Sequence, residues 1–312
     1  MQKIFIIFAV IILSSTVQAQ MKMRNLQTIT DEPADPTQLQ IKPDSTKTPG
    51  FVQLNTLGVQ KFLVENDYNQ AISFFSKAIE AAPDCSGCKY NLGRSFLQIG
   101  KYDDAVKTFN ELIAVDPNNF NAYASLGETY YKKELYEESL PFFQKALKLN
   151  PKDAITLCNY AVSLTILEKH AEALENLDKA VKLQPDFTEA YSNRGYTLFL
   201  LGRHKDALES LKKAEKLNPA VAQVHNNLGV VLDRLGKKKE AKAYYERAVQ
   251  LKPDYAEALC NLAIIHLAEG NREAAYQQLK TLEKVDFKLA DQLRGVIWGK
   301  YVVDASQVKP KD

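Results

Sequence analysis

The chain has 312 residues, 46% apolar and 25% charged, with 13 glycines and 12 prolines. That is ample apolar material for a core, and it excludes disorder as the chain's main character. Forty basic side chains against 38 acidic ones leave a net +2, a balance that disfavours nucleic acid as the main partner because phosphate binding needs a clustered basic field.

Residues 1–19 open with one cation, Lys3, continue with ten unbroken apolar residues from Ile4 to Leu13, and end Val17-Gln18-Ala19. This is the three-part layout of a secretory signal peptide. The apolar run is about half of what a bilayer-spanning helix requires, so removal after Ala19 is expected and no integral membrane span should remain. Residues 20–50 carry Pro33, Pro36, Pro43 and Pro49 among Thr, Asp and Gln with neither helical nor strand period. They are expected to form a disordered linker.

Beyond the linker, Pro83, Pro117, Pro151, Pro185, Pro219 and Pro253 each stand 34 residues after the last. A second register runs Gly93, Gly127, Ala161, Gly195, Gly229 and Ala263, where two helix backbones approach closely. A third runs Ala71, Ala105, Ser139, Ala173, Ala207, Ala241 and Ala275, and a fourth Ala78, Leu112, Ala146, Ala180, Ala214, Ala248 and Leu282. Large residues stand between them at helical spacing, such as Leu92, Phe96, Tyr102 and Phe109. Each repeat therefore reads as two antiparallel amphipathic helices, ended by a proline that cannot continue the second one.

This pattern closely resembles the tetratricopeptide repeat, with its aromatic, Leu, Gly, Ala and Pro positions at these same offsets. The expected fold is all-α: a right-handed α-solenoid of seven stacked helix-turn-helix repeats over 51–287, at about 52–85, 86–119, 120–153, 154–187, 188–221, 222–255 and 256–287. Phe287 replaces the seventh proline, and Leu289, Leu293, Val296 and Ile297 then recur at helical spacing. Residues 288–303 are expected to cap the array and 304–312 to be a disordered tail. In the first repeat Gly58 comes one position early and Asn55 stands where an aromatic is usual.

The resemblance implies that first helices line a concave groove. Asn91, Ser125, Asn159, Asn193, Asn227 and Asn261 precede the Leu/Gly positions, and a row of carboxamides offers donors and acceptors to an extended backbone. Local bonding between neighbouring repeats is the structural alternative. Three and seven residues on, the same face carries Arg94 early in the array. Later it carries Val162, Ile166, Tyr196, Leu200, Val230 and Ile264, expected to form a solvent-facing apolar strip that marks a partner site. The carboxylate-clamp subtype needs Lys, Asn and Arg at set offsets on three successive first helices, and this sequence does not supply them.

Cys85 and Cys88 form Cys-Ser-Gly-Cys in the turn between the first two repeats, where a local disulfide clip is expected. A redox or haem-linked role for the pair is the rival reading, and a self-assembling, homo-oligomeric array is another. Cys158 and Cys260 read as free small residues, and the four histidines fall on repeat-core positions. No catalytic, cofactor-binding or metal-binding motif stands out. The expected function is that of a non-enzymatic scaffold, periplasmic or secreted in a bacterium, that binds another protein or an extended peptide.

Overall fold

The positions that recur every 34 residues also punctuate the backbone. In the computed structural model, residues 49–297 are described and form fifteen helices. The leader, nearly all of the linker, residues 298–303 of the expected cap and the tail lie outside the described residues.

One unit ends at Pro185. In it α1 (Pro49–Leu63) pairs with α2 (Tyr68–Ala81), α3 (Ser86–Gln98) with α4 (Tyr102–Val115), α5 (Phe120–Lys132) with α6 (Tyr136–Leu149), and α7 (Ala154–Ile166) with α8 (His170–Leu183). The other unit starts at Asp186. There α9 (Thr188–Leu200) pairs with α10 (His204–Leu217), α11 (Ala222–Arg234) with α12 (Lys238–Leu251), and α13 (Ala256–Ala268) with α14 (Arg272–Val285). The extra helix α15 (Phe287–Ile297) buries Leu289, Ala290, Leu293 and Ile297 in one cluster with Leu259, Leu279 and Leu282, and so covers the end of that unit. No described helix is long and apolar enough to cross a membrane.

Each first helix ends on a left-handed residue. Asn66, Gly100, Glu134, Glu168, Gly202, Gly236 and Gly270 all have positive φ, between 53° and 81°. The amide that follows reaches back to close the turn: Lys101 N–H donates to Phe96 O at 2.9 Å and Leu135 N–H to Tyr130 O at 3.0 Å. Glycine meets this geometry without a Cβ penalty, whereas the exposed Glu134 and Glu168 adopt it at the steric cost of their own Cβ.

Each second helix ends on an extended residue. Ala82, Asp116, Asn150, Gln184, Asn218 and Lys252, each before a proline, have φ between −129° and −143°. Proline's Cδ disfavours the helical region at the residue before it. Asp286 adopts the same extended form at φ −145° although Phe287 follows. The break therefore belongs to the whole repeat and not to proline alone. Asp286 Oδ1 then accepts from Leu289 N–H at 2.9 Å and starts α15.

The small-residue registers mark where helices touch. Ala71, Ala105, Ser139, Ala173, Ala207, Ala241 and Ala275 have no exposed surface. A Cβ on Gly93 would lie 2.5 Å from the Phe109 ring, one on Gly127 2.7 Å from Phe143, and one on Gly229 2.5 Å from Tyr245. Gly58, out of phase by one, still faces a ring, that of Phe75. Where the register holds Ala161 and Ala263, the partner position carries the buried, slimmer Leu177 and Leu279. Gly195 faces Leu211 at 2.6 Å, so helix spacing contributes as well as ring size.

Gly93→Ala gains about 1 kcal/mol of helix propensity but overpacks a site whose usual penalty is about 1–3 kcal/mol. The expected outcome in urea unfolding is a net loss of stability. Combined with Phe109→Leu, the two changes should couple favourably by about 1 kcal/mol in a double-mutant cycle.

Candidate functional site

In the unit ending at Pro185, the first helices α3, α5 and α7 bring polar side chains of three repeats together. Asn91 on α3 is fully buried, and its Nδ2 donates to Asn55 Oδ1 on α1 at 3.0 Å. The departure at Asn55 thus supplies a repeat-to-repeat contact. Asn91 Oδ1 is left without a hydrogen-bond partner. One turn on, the Arg94 guanidinium donates to Glu128 Oε2 on α5 at 2.5 Å, and the two residues are 7% and 8% exposed. Burial works against the Arg94 charge, but Glu128 and Tyr90 outweigh it and hold the guanidinium above its ordinary pKa. Burial raises the Tyr90 phenol, more strongly than Arg94 lowers it.

A cleft of about 40 Å³ opens among these helices, lined by Tyr90, Arg94, Ser125, Glu128, Asp153 and Asn159 with Phe120 and Ile155. Ser125 and Asn159 are buried, and Asn159 Oδ1 and Arg94 Nε have no hydrogen-bond partner. Both residues line the cleft, but the two atoms themselves are buried in its wall, so this unused acceptor and donor become reachable only when neighbouring side chains shift. Asp153, at its edge, is committed elsewhere: its carboxylate accepts from Thr156 N–H at 2.7 Å and caps α7.

Further along α7, the sequence expectation needs correction. Val162 has no exposed surface, because α7 lacks a polar face and buries every residue from Thr156 to Thr165. Ile166, at the helix end, stays half-buried.

In the unit starting at Asp186, Asn193 and Asn227 are fully buried, and Asn261 is half-buried. Asn261 Nδ2 donates to Asn226 Oδ1 at 3.0 Å, so this carboxamide, like Asn91, links neighbouring first helices. Tyr196 is 6% exposed and stacks on Phe199 with centroids 6.4 Å apart. It is a packing residue and not part of an open strip. Leu200, Val230 and Ile264 are partly accessible, with Val230 and Ile264 leaning on core clusters. The apolar face here is a set of separate half-buried side chains and not a continuous exposed patch. Arg194 turns to its own repeat and bonds Ser210 on α10.

Cys85 and Cys88 are joined as a disulfide, their Cα atoms 5.3 Å apart. Cys158 and Cys260 take no part in a disulfide and have no exposed surface, and burial pushes the Cys260 thiol up to about 12. His225 and His266 are buried, with His225 Nε2 2.8 Å from Pro219 O. Sequence reasoning missed Asn226 and the pairing of Arg94 with Glu128. For the first, the adjacent Asn226-Asn227 pair was a usable signal. For the second, the 34-residue separation of the two charges was one.

Profiles described as tetratricopeptide repeat match residues 65–85, 90–154, 142–175, 186–253 and 234–295, and one described as TPR repeat matches 163–202. Among solved structures, the chain is similar to YrrB, a TPR protein with an unusual peptide-binding site. Identity is 26% and TM-score 0.50, covering 59% of this chain and 95% of that one. It is also similar to a tetratricopeptide repeat protein from Parabacteroides merdae, with 16% identity, TM-score 0.65, and 80% and 100% coverage. PilW, a type IV pilus biogenesis factor, gives 23% identity, TM-score 0.61, and 68% and 98% coverage. The last two show the fold alone. No curated protein matches.

Removing one partner of a buried ion pair strands the other charge, at a typical loss of about 3–5 kcal/mol. Glu128→Ala should cost about 3 kcal/mol in urea unfolding, and Arg94→Met with Glu128→Leu should cost less than Glu128→Ala alone.

Proposed function

We propose that this chain, a member of the tetratricopeptide repeat family, is a non-enzymatic adaptor that holds an extended segment of another protein against the first helices α3, α5 and α7. The observation that carries this reading is the pair of unused groups, Asn159 Oδ1 and Arg94 Nε, buried in the wall of one cleft that their residues line, where a side-chain shift on binding brings them to the ligand. A peptide unit has the complementary pair: its N–H donates to a carboxamide oxygen, and its C=O accepts from a guanidinium N–H. Such contacts bind main chain without reading side chains, while Phe120 and Ile155 supply an apolar wall beside them.

The similar TPR protein YrrB has a peptide-binding site, which supports the same class of ligand. In the unit starting at Asp186, the partly accessible Leu200, Val230 and Ile264 are the apolar side chains left for partner contact. The leader at residues 1–19 supports export to a periplasm or the cell exterior.

Extended peptides selected by display against the full chain provide the test. Asn159→Ala should weaken their binding in calorimetry about tenfold, the worth of one hydrogen bond to a desolvated group. Unchanged affinity in a variant of native circular dichroism would contradict the reading.

A further inference from the structure

The position just before each first helix is an N-cap, and its occupants in the second, third and fourth repeats are Cys85, Asn119 and Asp153. Asn119 Oδ1 accepts from Ala122 N–H at 3.1 Å, Asp153 Oδ2 from Thr156 N–H at 2.7 Å, and Cys85 Sγ from Cys88 N–H at 3.2 Å. The Asp153 side chain shows that this register sets a carboxylate oxygen directly on a helix N-terminal amide. A thiolate at Cys85 would meet the same donors and the same end of the helix dipole, which favour the ionised sulfur.

The two sulfurs are unequal. Cys85 is half-exposed, whereas Cys88 has no exposed surface and packs with Phe51, Ala78 and Ala82. The accessible sulfur is therefore the one whose anion is stabilised, and the buried one stands within bonding distance to resolve it.

From this asymmetry we infer that Cys85 and Cys88 form a thiol–disulfide exchange site whose substrate class is a protein dithiol or disulfide, with Cys85 as the exchanging sulfur and Cys88 as the resolving one. A partner thiolate attacks Cys85 Sγ, a partner–Cys85 bond forms, the Cys85–Cys88 bond breaks, and its electron pair leaves on Cys88, which takes a proton from water. The partner's second thiol, deprotonated, then attacks its own first sulfur and expels Cys85 as the thiolate that the α3 amides hold. Two electrons pass from the partner, which becomes a disulfide, to this chain, which becomes a dithiol. The reverse sequence oxidises the chain and reduces the partner.

The test uses the full chain, with dithiothreitol as the dithiol and iodoacetamide as the probe. Dithiothreitol should open the disulfide in native protein without denaturant. In the reduced Cys88→Ser variant, Cys85 should be labelled with a pH midpoint at least one unit below the ~8.5 of a free thiol. In the reduced Cys85→Ser variant, Cys88 should be labelled at least about tenfold more slowly at pH 7, because solvent does not reach its sulfur. If either serine variant loses helical signal, peptide mapping of the reduced wild-type chain gives the same two rates. A Cys85 midpoint at or above ~8.5 overturns the proposal, as do equal rates at the two sulfurs or a disulfide that opens only in denaturant.

Discussion

The closest approach of two helices in each repeat governs what the rest of the structure can do. A ring or a leucine from the second helix lies where a side chain on the first would otherwise be, as between Phe109 and Gly93 or Tyr245 and Gly229. That contact fixes the rotation of the first helix about its own axis. Residues two positions before the small residue, such as Asn91 before Gly93 and Asn261 before Ala263, then point toward neighbouring first helices. Glycine against rings, and Ala161 and Ala263 against leucines, keep the summed volume of those repeats near constant, while Gly195 against Leu211 closes its contact by helix spacing instead.

Polar groups buried by this arrangement connect repeats. Asn91 with Asn55, Arg94 with Glu128, and Asn261 with Asn226 each join consecutive first helices. A carboxamide has more valences than one such bond uses, and an arginine has five N–H groups. Some of this capacity is left over, at Asn91 Oδ1, Asn159 Oδ1 and Arg94 Nε. A partly satisfied buried network destabilises the free protein and rewards whatever completes it. Structural linkage uses part of what these side chains offer, and the proposed function assigns the remainder to a partner, so the alternatives framed from sequence are not exclusive.

Much of the fold was legible because its punctuation is chemically narrow. Six prolines in phase and the Ala and Gly registers locate both helices of every repeat, and the structure puts helix ends at those positions. The left-handed turn register was harder to see, since Glu134 and Glu168 occupy positions that Gly100 and Gly202 mark elsewhere and take the same conformation with the same backbone closure, Leu135 N–H to Tyr130 O and Lys169 N–H to Leu164 O. The candidate site was less legible than the fold. Helical spacing puts Val162 and Tyr196 on the face of Asn159 and Asn193, yet spacing does not say how closely neighbouring helices cover that face. Long side chains carry the same ambiguity: Arg94 could reach solvent, and its pairing with Glu128 depends on the distance between two helices. The capping role of Cys85 shows in the sequence as a shared register with Asn119 and Asp153, but it needs the backbone to give the sulfur its donor.

The central claim is that the unused groups of the first helices serve another chain's backbone. The most direct measurement is a crystal structure of the full chain with a display-selected peptide. The account predicts peptide N–H within about 3.2 Å of Asn159 Oδ1 and peptide C=O at similar distance from Arg94 Nε, the usual range of such bonds. A peptide seated on the second helices, with Asn159 and Arg94 untouched, would contradict it.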